Sequence, residues 1–260
     1  MNKNCVHTAL TLLLAALLAA CTTTTTNRTP VNTEAAHDKR IELGMKYLEV
    51  GKRDNARYQF SKALELKKNS PGAYHGVALV HQANGEMNHA EESFKKALKY
   101  ATEKEKSPIN VSYGRFLMLT GNAKAACDLF EKAAMDFDYT SRSEALYMAG
   151  QCARQTGNQA RVKPALEHAL NLNPDYLPPM IELAEIYFRD GEYAKCKNLL
   201  TRFEKLSKPT AASLWLGIRI ERVFGNKDKE ASYALALRNL HPYSQEYLEY
   251  RNSLQHLQQQ

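Results

Sequence analysis

An all-α solenoid of stacked helical hairpins is the fold class the sequence predicts, and three observations predict it. Six glycines (Gly51, Gly85, Gly121, Gly157, Gly191 and Gly225) recur at spacings of 34, 36, 36, 34 and 34 residues. A period of this size belongs to helical repeat architectures. Before each glycine runs an apolar stripe of about fourteen residues at helical spacing. After it comes a second stripe, with a small residue five positions on (Ala56, Ala90, Ala126, Cys196) and a large apolar one nine positions on (Phe60, Phe94, Phe130, Leu166, Leu200).

Composition agrees. Of 260 residues, 44 % are apolar and 24 % charged, ordinary for a globular chain and too apolar for wholesale disorder. Lys+Arg at 35 against Asp+Glu at 28 gives a net charge of +7. That excess is too weak and too scattered to point to nucleic acid; it suits an envelope protein or an acidic partner.

The elements follow in order. Val6 to Ala20 is an apolar run behind Lys3, too short to span a bilayer and laid out as an export signal, residues 1–20. Leu18-Ala19-Ala20-Cys21 closes it and resembles the bacterial lipobox. The resemblance implies that Cys21 becomes the acylated first residue of the mature chain. With Thr22 rather than Asp after it, the resemblance further implies sorting to the outer membrane, on its periplasmic face. Several acyl chains anchor stably where one does not, each buried methylene contributing about 0.8 kcal/mol. The Thr-rich stretch to residue 36 reads as a polar tether with a span of roughly 20 Å.

From residue 37 to 260 the repeats resemble the tetratricopeptide repeat. Leu43-Gly44-x-x-Tyr47 and Ala56-x-x-x-Phe60 carry the likeness in repeat one, Ala90-x-x-x-Phe94 in repeat two, Tyr113-Gly114 and Ala126-x-x-x-Phe130 in repeat three. Leu183-Ala184-x-x-Tyr187 carries it in repeat five. Gly44, Gly114 and Gly150 are expected to let paired helices approach, with Phe60, Phe94 and Phe130 filling the space. Departures are expected too. The two-residue insertions near Thr102–Ser107 and Asp136–Thr140 should lengthen loops. Pro164 should delay or kink its helix. Repeat six has Gly217 one position early and Glu230 at a small-residue position. A last helix over 244–258, with Tyr247, Leu248, Tyr250, Leu254 and Leu257 apolar, should cap six helix pairs.

No His-Glu-x-x-His, Walker loop or Cys-x-x-Cys occurs. No catalytic residue, cofactor or metal is assigned; His75 and His81 alone lack a third ligand. An exported chain meets an oxidising compartment, and Cys127 and Cys152 fall on helices expected to be adjacent. They are the expected disulfide, with three free buried thiols (Cys196 included) as the alternative.

The repeat resemblance implies that the first helix of each pair lines the inner face. On that face it places Ile41, Met45 and Leu48, then His75 and Leu79, Arg115 and Met118, Tyr147 and Arg154, Phe188 and Arg189, and Trp215, Arg219 and Arg222. The first repeat's stripe is apolar and reads as a partner-docking site, unless the segment near Ala35 and Ala36 covers it. The later Arg and aromatic mixture suits an acidic or C-terminal peptide, unless it is simply a solvated face.

Lipobox, tether, six repeats and final helix together resemble the type IV pilus biogenesis lipoproteins of the PilW/PilF family, a pilotin-like group. Ala212-Ser213-Leu214-Trp215-Leu216-Gly217-Ile218-Arg219 is especially similar to that family's last repeat. The resemblance implies a non-enzymatic scaffold that binds the pilus secretin subunit, with other pilus-assembly proteins as further partners. A β-barrel assembly lipoprotein and a cell-wall enzyme adaptor are the alternatives.

Overall fold

The computed structural model describes residues 33–258, with side chains to residue 255. The export signal, Cys21 and the tether to residue 32 lie outside the described residues, as does the side chain of Leu257. Thirteen helices and no strand occur among the described residues. They are α1 (Thr33–Glu49), α2 (Arg53–Leu66), α3 (Pro71–Ala83), α4 (Met87–Tyr100), α5 (Glu103–Leu119), α6 (Ala123–Met135) and α7 (Arg142–Gln155). There follow α8 (Gln159–Leu172), α9 (Leu177–Arg189), α10 (Tyr193–Leu206), α11 (Ala211–Val223), α12 (Lys227–Leu240) and α13 (Gln245–Gln258). They form six hairpins, each second helix packing on the first helix of the next, and α13 closes the stack against α11 and α12.

The hairpin turns follow from the repeated glycine. All six hold φ between 68° and 84°, the left-handed region that a Cβ disfavours. At Gly85 the Gly85 N–H donates to the Gln82 carbonyl at 3.0 Å and the Glu86 N–H to the His81 carbonyl at 2.9 Å. This pair of bonds closes the end of α3 and reverses the chain.

In the first and third hairpins a large side chain fills the space of a missing one opposite. A Cβ on Gly44 would lie 2.5 Å from the Phe60 ring, and one on Gly76 of the next hairpin 2.3 Å from it. Phe60 is therefore clamped between α1 and α3, wholly buried. Gly114 bears the same relation to Phe130, at 2.7 Å. At Gly150 the added atom would meet the Ala165 Cβ at 3.3 Å, a tight contact rather than an overlap. Repeat six inverts the rule: Ile218 and Ala234 occupy the positions of Gly44 and Phe60, and Gly217 meets the Tyr233 ring at 2.9 Å. At the equivalent positions large and small have changed sides, and the glycine–aromatic pair has moved one residue toward the N-terminus on both helices.

Several expectations are corrected. Residues 33–36 are the first turn of α1 rather than tether, so Ala35 and Ala36 do not form a separate cover. The reason is His37, which is buried. Its Nε2 accepts from the Ser70 hydroxyl at 2.8 Å, while Ser70 Oγ accepts the Ala73 N–H at 3.1 Å as the N-cap of α3. One hydroxyl both caps α3 and fastens the start of α1. The first insertion lengthens a helix, not a loop: α5 has 17 residues and opens on a Thr102–Glu105 capping box. The second does lengthen its loop, and Ser107 Oγ donates to Asp136 Oδ2 at 2.5 Å, tying the two insertions together. Pro164 does not delay α8, which starts two residues after its glycine like every other second helix and runs through the proline. In α13, Tyr247 and Tyr250 pack on the Trp215 end of the stack, whereas Leu248 and Leu254 are exposed.

Cys127 of α6 and Cys152 of α7 form a disulfide, Cα–Cα 5.5 Å. It joins the third hairpin to the fourth; closing a loop of this size stabilises by about 3 kcal/mol on the chain-entropy account. Cys196 is free and buried, its thiol pushed up to about 12 by burial.

His75 belongs to the core layer. Its ring lies 6.1 Å from that of Phe94, its Nε2 is buried without a partner, and burial pushes its pKa down to about 4. The unfolded chain, with an ordinary histidine, binds this proton more readily. Stability should therefore be full above about pH 6.5 and fall by about 3 kcal/mol as pH drops toward 4. Urea unfolding of wild type and His75→Phe across that window checks this: the variant should lose most of the slope. Gly76→Ala should cost about 1–3 kcal/mol by overpacking against Phe60, read by the same unfolding assay.

Candidate protein-interaction groove

Alternate helices of such a stack share one face. Among the first helices, α1 touches α3, α3 touches α5, α5 touches α7, α9 touches α11 and α11 touches α13. The sequence-selected residues are spread along this row and divide into two chemical halves.

Repeats one to three supply the apolar half. Met45 and Leu48 are half-buried on the cluster around Phe60 and Val80. Leu79 and Met118 continue the strip, half-buried on the neighbouring cluster. Ile41 is a spacer within the α1–α3 contact, its Cδ1 3.0 Å from where a Cβ on Gly72 would stand. His75 turns its ring inward instead and leaves the strip to its neighbours.

Repeats four to six supply the polar half, joined to repeat three by Arg115, whose guanidinium pairs with Glu144 of α7. Glu182 of α9 takes three donors from α7: Tyr147 Oη at 2.8 Å, Gln151 Nε2 at 2.6 and 2.8 Å, and Arg154 Nη2 at 2.8 Å. Burial, and then the Glu182 carboxylate, raise the Tyr147 pKa, so the phenol stays a donor. Glu185 pairs with Arg219 of α11, whose guanidinium lies 4.8 Å from the Phe188 ring and 5.1 Å from the Trp215 ring. Trp215 Nε1 donates to Glu249 of α13 at 2.9 Å. Arg222 pairs with Glu230 and donates to Ser253 Oγ at 3.0 Å.

The arginine and aromatic mixture, read in sequence as suited to an acidic peptide or as a solvated face, is largely matched within the chain. Four of the five arginines are matched by carboxylates within the chain, most of them one repeat away; only Arg189 is exposed with no ion-pair partner among the described residues. The partners Glu144, Glu182, Glu185 and Glu249 went unassigned as partners in sequence. A signal existed: Glu185–Arg219 and Trp215–Glu249 are each 34 residues apart, one full period. Sequence reading also missed a cleft of about 1400 Å³ between the two insertions, lined by Leu98, Lys104, Pro108, Met135 and Tyr139.

The tetratricopeptide repeat family matches residues 71–104 and 143–176. The chain is 32 % identical over 224 residues to the type IV pilus assembly protein PilF of Pseudomonas aeruginosa, covering 86 % of this chain and 88 % of that one. A solved structure of Pseudomonas aeruginosa PilF superposes with a TM-score of 0.79 at 31 % identity, over 85 % of this chain and 99 % of that one. The structure of PilW, described as a widely conserved type IV pilus biogenesis factor, shares the fold with a TM-score of 0.65 at 24 % identity, over 82 % and 97 %. Identity of this extent over nearly the whole helical stack places the chain in the PilF family of type IV pilus biogenesis proteins, a tetratricopeptide-repeat scaffold.

Proposed function

We propose that this member of the family is an outer-membrane lipoprotein that holds a segment of the pilus secretin subunit and so supports secretin assembly. The observation that carries the reading is the half-buried apolar strip of Met45, Leu48, Leu79 and Met118, set on a family scaffold for pilus biogenesis. An apolar strip on a row of helices suits a partner's helix or extended segment, with half-exposed side chains as anchors. The polar half contributes rigidity, because its charges are spent on neighbouring repeats. Lipid on Cys21 supplies the address: it concentrates the scaffold at the membrane where the secretin subunits insert. The reading includes no catalytic step.

Two variants test the two parts. Leu48→Asp should weaken capture of the secretin subunit by about tenfold or more, the worth of one apolar anchor, while circular dichroism keeps its helical signal. Cys21→Ser should leave a folded chain that no longer fractionates with outer membranes, and heat-resistant secretin multimers should fall on immunoblots. Unchanged multimers in both variants, or a pull-down dominated by barrel-assembly factors or cell-wall hydrolases, would overturn the proposal.

A further inference from the structure

We propose that the turn of the second repeat is a zinc site formed by His81, Glu86 and His89. One ligand atom from each lies within 4.8 Å of the other two. Tetrahedral zinc with nitrogen and oxygen ligands near 2.0–2.1 Å needs them about 3.3 Å apart, a distance that small side-chain rotations supply at this surface. Two imidazoles and a carboxylate match zinc's preference for nitrogen with borderline-hard oxygen, and leave a fourth position to water.

The fold brings the three together. His81 is in the last turn of α3, the left-handed Gly85 reverses the chain, Glu86 is the N-cap of α4, and His89 lies in its first turn. The Glu86 side chain makes no capping bond. It turns back instead and accepts from His81 Nδ1. The His89 ring stands 5.4 Å from that of His81. Zinc would take the place of the hydrogen between His81 Nδ1 and Glu86, the imidazole then carrying its hydrogen on Nε2. Arg53 donates to the Ala83 carbonyl at 2.8 Å.

The repeats provide their own control. The positions of His81, Glu86 and His89 hold Tyr47, Lys52 and Asn55 in repeat one, Leu117, Asn122 and Ala125 in repeat three, and Ala153, Asn158 and Arg161 in repeat four; repeat five keeps only the glutamate, with Tyr187, Glu192 and Lys195. Hairpin packing therefore requires none of the three ligands. Another cluster, Glu34, His37 and Asp38, is a poorer candidate, because both nitrogens of its buried histidine are engaged by Ser70 and Asp38.

Isothermal titration of the full chain, purified without a polyhistidine tag, with zinc chloride tests the site. The expected result is one zinc per chain, a higher melting temperature in its presence, and the absorption of a tetrahedral ion when cobalt replaces it. His89→Gln, at an exposed position, should keep the metal-free melting temperature and bind zinc about tenfold or more weakly. No zinc binding by the wild-type chain, or binding by His89→Gln and His81→Gln as tight as that of the wild type, would overturn the proposal.

Discussion

The stack depends on a steric exchange between facing helices. Where Phe60 projects from α2, α1 and α3 both lack a side chain, at Gly44 and Gly76, and the ring occupies the volume that two Cβ atoms would need. Close-packed interiors tolerate neither the void nor the overlap, so this pairing fixes how far apart two helices sit and how one hairpin meets the next. Every other feature of the face, including which side chains reach it, is set by that spacing. Repeat six shows that the constraint is on the summed volume and not on the residue: Ile218 and Ala234 satisfy it with the sizes reversed, and Gly217 against Tyr233 restores the small-against-large pair one residue earlier.

Along the row of first helices, chemistry changes midway. The early hairpins meet through apolar side chains and leave a half-buried strip of Leu and Met. The later ones are cross-braced by carboxylates that reach to the next repeat, with Glu182 gathering a phenol, an amide and a guanidinium. Individual exposed ion pairs contribute little, but a shared acceptor with several donors also fixes side-chain geometry. The result is one half fit for docking and another half that is largely self-satisfied.

The period of the turn glycines made the number, order and boundaries of the hairpins legible, because a left-handed turn every 34 to 36 positions leaves room for one pair of helices between turns. Cys127 and Cys152 were legible as neighbours for the same reason. What hid was whatever depends on side-chain direction. His75 sits at an inner-face position by count, yet its ring turns into the core. The arginines were countable, but most of their matching acids lie about one repeat away, and which glutamate faces which arginine depends on side-chain direction. The start of α1 was masked by its Thr-rich approach, since the bond that orders it comes from Ser70, more than thirty residues later. The two insertions had the same length and different fates: one met a capping box and became helix, the other met no such signal.

The covalent bridge between α6 and α7 has a mechanical corollary. A pile of hairpins flexes by small changes of angle at each junction, shared among all of them. Cys127–Cys152 removes that freedom at the central junction. The molecule then bends as two springs clamped to a stiff middle collar, and a load applied at either end is felt first by the hairpins on that side.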